Sequence, residues 1–283
     1  MEKSARLRTE RSQVRILSGV PQNKGVEMTD EEKQVIEHKD NGALKDLLDS
    51  SYPLLQKFRE VCPGSFKHSQ ALAGMVEGVS IPLGLDVVFM KVAATYHDIG
   101  KLFNPKYFTE NQLEDENPHE KLDPIISFQI ISRHISDTAL ILLNDINFPR
   151  ELIKIAVQHH GTSILKYFFI KSKSDVDDHY RYKGEKPTCV ESAILMICDC
   201  IEARTRSEIQ SGKGSLDPTS IIEETINDLL SDGQLDDVVM RLGDLQKIKD
   251  ALAKELEGTF QKRVDYNKAK EEGESVTYEK EVE

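Results

Sequence analysis

The chain has no tryptophan, is only 6% aromatic, and contains four cysteines, Cys62, Cys189, Cys198 and Cys200, with no CxxC pair or zinc-knuckle spacing among them. This excludes a disulfide scaffold and a cysteine-built zinc site, and predicts reduced, partly buried thiols in a cytoplasmic protein. No uninterrupted apolar stretch approaches the roughly 20 residues that span a bilayer. The best run, Ala193 to Ile201, is interrupted by Asp199, so no membrane insertion by this chain is expected. Basic charge is in deficit, with 37 Lys and Arg against 49 Asp and Glu and a net charge of -12. That balance gives no general attraction for a nucleic-acid polymer, and any anionic ligand must be held by local charge. Strand-like alternation and internal repeats are also missing. What remains is helical periodicity, and the expected fold class is all-α.

The 283 residues divide into three parts. Residues 1–27 mix Arg, Ser, Gln and Gly around Pro21 without periodicity and read as a flexible basic extension; no apolar stretch follows the arginines, so they do not form a secretory signal. Residues 28–266 carry about ten helical segments. Residues 267–283 are charged and expected to be disordered. Within the central part, Thr29–Glu32 has the composition of a helix start, and Leu44, Leu47 and Leu48 recur at helical spacing. Cys62-Pro63-Gly64 is a break, after which Ser65 is expected to cap a helix that carries His68. Pro82 and Gly84 are expected to separate that helix from the apolar run Val87–Thr95, which ends at His97-Asp98.

Residues 103–123 read as a long loop beside the site, with aromatics and three X-Pro steps. Helices are predicted over 125–134, 137–146 and 151–160, the last stopped by Gly161. A polar insertion follows at 171–187. The helix over 188–206 is the most apolar, yet holds Asp199, a carboxylate that needs a cation or strong hydrogen-bond donors as its partner if it is buried. Two further helices are predicted over 218–230 and 235–262, broken at Asp232-Gly233.

Helix ends hold most of the histidine supply: His68, His97, His134, His159 and His160. Imidazoles together with the carboxylates of Asp98 and Asp199 suit first-row transition metals. Seven such groups exceed what one four-coordinate site uses, whereas two nearby metals sharing Asp98 and a water would employ them all. Paired metals ionise such a water and stabilise the attacking and leaving oxygens of in-line displacement at phosphorus, so phosphoester hydrolysis is the expected chemistry. Each residue has a plainer alternative: His68 satisfied by backbone, His134 exposed at a helix end, Asp199 paired with Lys or Arg, Lys101 solvated. Adjacent histidines on a regular helix point about 100° apart, so His159 and His160 act together only where the helix has ended. His38, His119 and His179 lie in polar sequence and are expected at the surface.

His68, His97-Asp98 and Asp199 match the H...HD...D signature of the HD phosphohydrolase superfamily, whose fold is all-helical. More narrowly, Ser51–Leu55, Pro63–Ser69, His97–Lys101, Tyr107–Gln112, Asn117–His119, Gln158–Thr162, Arg181-Tyr182, Lys186-Pro187 and Asp232–Asp236 resemble the catalytic domain of the PgpH-type cyclic-di-AMP phosphodiesterases, over about residues 45–266. The resemblance implies two iron or manganese ions. One would be held by His68, His97, Asp98 and Asp199; the second would share Asp98 and add His134, His159 and His160. It also implies hydrolysis of cyclic di-AMP to the linear dinucleotide by a metal-bridging hydroxide, with His97, Asp98 and Lys101 catalytic. Lys101, Tyr107, Thr162, Tyr182 and Lys186 are the substrate-side candidates.

Departures from that family are few. Its members are usually preceded by an extracellular region and seven membrane helices, so this chain is expected to be a free-standing domain or a fragment. Lys67 and Gln261 stand where the family commonly has histidine. Cyclic-di-GMP enzymes of the HD type carry Gly-Tyr-Pro after the paired histidines, whereas this chain continues Gly161-Thr162-Ser163. Hydrolysis of another nucleotide, and metal-dependent nucleotide sensing without turnover, are the alternative functions.

Overall fold

Two helices with wholly buried stretches set the core of the computed structural model, which describes residues 41–112, 117–211 and 217–258. In chain order, α1 is Asn41–Leu47, α2 Pro53–Val61, α3 Pro63–Leu83, α4 Val87–Tyr96, α5 Pro124–Ser132 and α6 His134–Leu143. Then come α7 Arg150–Val157, α8 Lys166–Ser172, α9 Val190–Gln210 and α10 Pro218–Ser231, and residues 242–258 form α11. Among the described residues the only β pairing is an isolated bridge between Ile164 and Arg181. No described helix is long and apolar enough to cross a membrane. The predicted extension, the helix start at Thr29–Glu32, His38 and the charged tail lie outside the described residues.

Residues Val92–Tyr96 of α4 and Ala193–Cys198 of α9 are almost wholly buried. A helix that is apolar on every side must be surrounded. Accordingly α4 packs against α1, α3 and α7, and α9 against α3, α7 and α10. His97 follows the buried end of α4 and Asp199 lies within α9. The two carboxylates of the candidate site are therefore carried by the two innermost elements.

Several boundaries differ from the sequence expectation. The α3 helix starts on Pro63, whose absent N–H costs nothing in a first turn, so Ser65 lies inside the helix and caps nothing. Its hydroxyl instead donates to Glu110 Oε1 at 2.8 Å. Pro82 does not end α3 but sits in its last turn. Beyond it, the amides of left-handed Gly84 and of Leu85 donate to Ile81 and Ser80, closing the helix past the proline. The final helix begins at residue 242, not 235, because residues 232–241 form turns that send Leu235 and Val238 into the core. His119 is buried, not at the surface: its Nε2 lies 2.7 Å from the Tyr107 carbonyl, and its ring stands between the Tyr107 and Phe168 rings. His179 is exposed. The loop over 103–123 is a series of short 3-10 turns at Pro105–Tyr107, Thr109–Asn111 and Pro118–Lys121, with 113–116 outside the described residues.

Candidate metal centre

Three helix ends build most of the site by one device. The last carbonyls of a helix have no intrahelical donor. His97, His134 and His159 each lie one or two residues past the end of α4, α5 or α7, and each turns its ring back onto the carbonyl three residues earlier. His97 Nδ1 lies 2.8 Å from Ala94 O, His134 Nδ1 2.6 Å from Ile131 O, and His159 Nδ1 2.5 Å from Ala156 O. A carbonyl only accepts, so each Nδ1 carries a proton and each Nε2 faces inward. His134 is thereby buried, in contrast to the exposed helix-end alternative. His159 and His160 follow the end of α7, in a turn that frees both rings from the 100° constraint.

Gly100 lets these ends meet. A Cβ there would stand 2.1 Å from His134 O and 2.5 Å from Thr138 N, so α6 lies directly on the backbone after the His-Asp pair. Thr138 stitches the contact: its Oγ1 accepts from Gly100 N at 2.9 Å and donates to His97 O at 3.1 Å. Gly64 serves likewise on the other side, where a Cβ would overlap the Glu110 carbonyl.

All seven predicted ligands converge. The Asp98 carboxylate lies among them with Oδ2 at 3.2 Å from His97 Nε2 and 3.9 Å from His68 Nε2, and Oδ1 at 3.3 Å from His134 Nε2 and 3.6 Å from His159 Nε2. Asp199 Oδ1 lies 3.0 Å from His68 Nε2 and 3.8 Å from His97 Nε2, while its Oδ2 is 3.9 Å from His160 Nδ1. The ligand atoms of His68, His97 and Asp98 lie within 4.8 Å of one another, as do those of His134, His159 and His160. So do those of His97, His159 and Asp199, which joins the two groups.

The residues fit metal ions better than they fit one another. With the Nδ1 protons committed, the Nε2 atoms of His134 and His159 face each other at 3.4 Å as two lone pairs. Asp98 Oδ1 beside them is buried without a hydrogen-bond donor. Facing acceptors in a dry site need a cation.

Electrostatics agree in direction. Burial alone would push the Asp98 carboxyl up, but the neighbouring His97 and Lys101 outweigh it and hold it well below the usual carboxylate range. Asp199 is likewise held low against burial, chiefly by His68. Burial disfavours charge on His68 too, yet Asp199 and Glu202 push its imidazole up to about 10. His160 goes the other way, lowered by burial and by the adjacent His159 and His134.

The substrate-side candidates separate. Lys101 is not solvated: its Nζ lies 2.7 Å from Asp98 Oδ2 and 2.6 Å from Glu110 Oε1. Tyr182 is at the site, its buried ring stacked on His160 at 4.4 Å. The others have partners of their own. Tyr107 meets His119, Thr162 N donates to Gln234 Oε1 at 3.0 Å, and Lys186 Nζ lies 3.8 Å from Asp236 Oδ2. Sequence reading missed Glu110, Phe108 and Glu202. Phe108 stands edge-to-face with His134, ring centroids 5.7 Å apart, and Glu202 Oε2 lies 2.6 Å from His68 Nδ1. Glu202 had a legible signal, three residues after Asp199 on one helix face. Glu110 had none, because it arrives from a loop.

Residues 65–204 match the HD domain family. The chain is 37% identical over 230 residues to cyclic-di-AMP phosphodiesterase PgpH of Bacillus subtilis, covering 80% of this chain and 32% of that protein. It therefore spans about a third of the length of the curated relatives it matches. The crystal structure of the Listeria monocytogenes PgpH HD domain superposes with a TM-score of 0.67 at 38% identity, covering 74% of this chain and 100% of that one. The same domain solved in complex with cyclic di-AMP matches with the same TM-score and identity.

Proposed function

Because the chain belongs to the HD domain family, we propose that it is a two-metal phosphodiesterase that opens cyclic di-AMP to the linear dinucleotide. The observation that carries this reading is the Asp98 carboxylate, whose two oxygens face different histidine groups: Oδ2 faces His97 and His68, and Oδ1 faces His134 and His159. A carboxylate flanked in this way suits a bridge between two cations. One ion would be held by His68, His97, Asp98 and Asp199, and the other by Asp98, His134, His159 and His160. Nitrogen and oxygen donors suit divalent manganese or iron. Bound there, a metal pair supplies an ionised water at neutral pH and stabilises both oxygens of an in-line displacement at phosphorus.

The chain's own groups orient and balance that chemistry. His97 and Asp98, adjacent at the end of α4, fix the geometry of the shared centre. Lys101, held between Asp98 and Glu110, keeps a cation where a phosphate oxygen would arrive, and burial of its surroundings strengthens that charge. Tyr182 covers His160 and offers a phenol to the substrate side. Tyr107, Thr162 and Lys186 belong to the proposal only through the family resemblance, since each is engaged with a partner of its own here. The relative solved with cyclic di-AMP bound supports the substrate, and the four free thiols suit a reducing, cytoplasmic setting.

The test is hydrolysis by the purified chain supplied with Mn²⁺, using cyclic di-AMP, cyclic di-GMP and a mononucleotide, with products separated by chromatography. Selective conversion of cyclic di-AMP that Asp98→Ala abolishes is the expected result. Preferred turnover of the mononucleotide would reassign the substrate. Two bound ions with no hydrolysis of any substrate would make the chain a nucleotide sensor.

A further inference from the structure

His68 is anchored unlike the other histidines of the centre. His97, His134 and His159 rest Nδ1 on neutral carbonyls of their own preceding helices. His68 lies six residues into α3, where the carbonyls are occupied by the helix ladder and none is free for its ring. Its Nδ1 instead meets a carboxylate from another element, Glu202 Oε2 on α9 at 2.6 Å. Glu202 is three residues after Asp199, so both carboxylates project from one face of α9. They hold opposite sides of the same ring: Asp199 Oδ1 lies 3.0 Å from Nε2 and Glu202 Oε2 2.6 Å from Nδ1. Arg206, one turn further along α9, lies 3.5 Å from the same Glu202 oxygen and limits its rotation.

We infer that Glu202 is a positioning residue that sets the affinity of one ion only, the one on the His68 side. It touches neither the shared carboxylate nor the inward-facing Nε2 of His68, so it does not compete as a ligand. Its action is through the ring: a carboxylate accepting the Nδ1 proton fixes the tautomer, aims Nε2 inward and makes it a stronger donor than a carbonyl-anchored imidazole. In the other group His134 and His159 rest Nδ1 on carbonyls, and His160 Nδ1 lies 3.9 Å from Asp199 Oδ2, beyond hydrogen-bond reach, so among the described residues none of the three has a carboxylate hydrogen-bonded to its ring as His68 has. The two sites should therefore fill with unequal affinity, and Glu202 accounts for part of the gap. This inference rests on the two-ion reading above.

The experiment is Mn²⁺ titration of the metal-free full chain, followed by calorimetry and by electron paramagnetic resonance, for the wild type, Glu202→Gln and Glu202→Leu. Glutamine keeps size and an acceptor but removes the charge; leucine removes both. The expected result is two ions in the wild type and a loss of about 10- to 100-fold in affinity for one ion in the leucine variant. A smaller loss is expected for glutamine, with the second ion unchanged and the coupled-manganese signal replaced by an isolated one at substoichiometric metal. Wild-type affinities for both ions in both variants would overturn the inference and leave the two-ion reading intact. Equal weakening of both ions in the glutamine variant would also overturn it. A wild type that binds fewer than two ions would overturn both.

Discussion

The two sides of Asp98 are built from different materials. Toward His68 the surroundings are ionic: Asp199 and Glu202 each pair with the His68 ring, Arg206 with Glu202, and Lys101 with Asp98 and Glu110. Toward His134 the surroundings are neutral and aromatic, with rings at His159, His160, Phe108 and Tyr182 and backbone carbonyls as anchors. On the ionic side His68, Asp199 and Glu202 come from within α3 and α9, whereas His134, His159 and His160 on the neutral side come from helix ends and turns. A helix middle has no spare backbone groups, so side chains must supply the second contact of every ligand; a helix end has spare carbonyls and needs none. The shared carboxylate thus joins a site tuned by charge to one tuned by burial.

The largest test removes the junction. Asp98→Ala should lose both ions and lower turnover at least ~1,000-fold, as measured by metal analysis and product formation. A variant that keeps two ions would break the comparison at its centre.

Next, the sides can be emptied separately. His68→Ala and His134→Ala should each retain about one ion of two, the first leaving the carbonyl-anchored site filled and the second the carboxylate-anchored one. Identical metal-binding curves for the two variants would show that the sides are equivalent.

Stability separates the sides from the contact that joins them. Gly100→Ala should destabilise the metal-free chain by about 3 kcal/mol in denaturant unfolding, because the new Cβ forces α6 away from the His-Asp turn.

A smaller effect follows from pH. Burial alone would raise Glu110, but Lys101 lowers its carboxyl to about 2. A depressed carboxyl contributes stability that is present above its unfolded pKa, about 4.3, and is lost as pH falls through about 2. The stability difference between wild type and Glu110→Gln should therefore shrink across that window, in acid titrations followed by circular dichroism. A difference that is constant from neutral pH to pH 2 would rule the ion pair out as its source.

The smallest expected change is Tyr182→Phe, which keeps the ring stack on His160. It should leave metal content unchanged and alter melting by less than about 1 kcal/mol. Any larger loss would assign the hydroxyl a structural role on the neutral side.

The sequence made the all-α class and the ligand types legible because both depend on local patterns. Helical periodicity identified α4 and α9, and the candidate metal ligands stand at or near helix ends except for His68 and Asp199. Boundaries were less legible where proline was ambiguous. Pro63 begins α3 and Pro82 rides in its last turn, outcomes decided by which amides find carbonyls and not by residue type. His119 lies in a polar sequence that predicts a surface position, yet it is buried, since its ring finds partners on segments brought close by folding.

Sequence alone determined that seven imidazole and carboxylate groups are available, that the chain is helical, and that a buried Asp199 needs a cation or strong hydrogen-bond donors. Tertiary structure decided which oxygen of Asp98 faces which histidines, that Glu110 and Glu202 join the site, and that Thr162 and Lys186 have partners elsewhere. The physical reason is range. Periodicity, capping and charge act over a few residues of chain, whereas ligand geometry depends on how α3, α4, α6 and α9 pack, and that packing is fixed by contacts between residues such as Gly100 and Thr138 that no local pattern links.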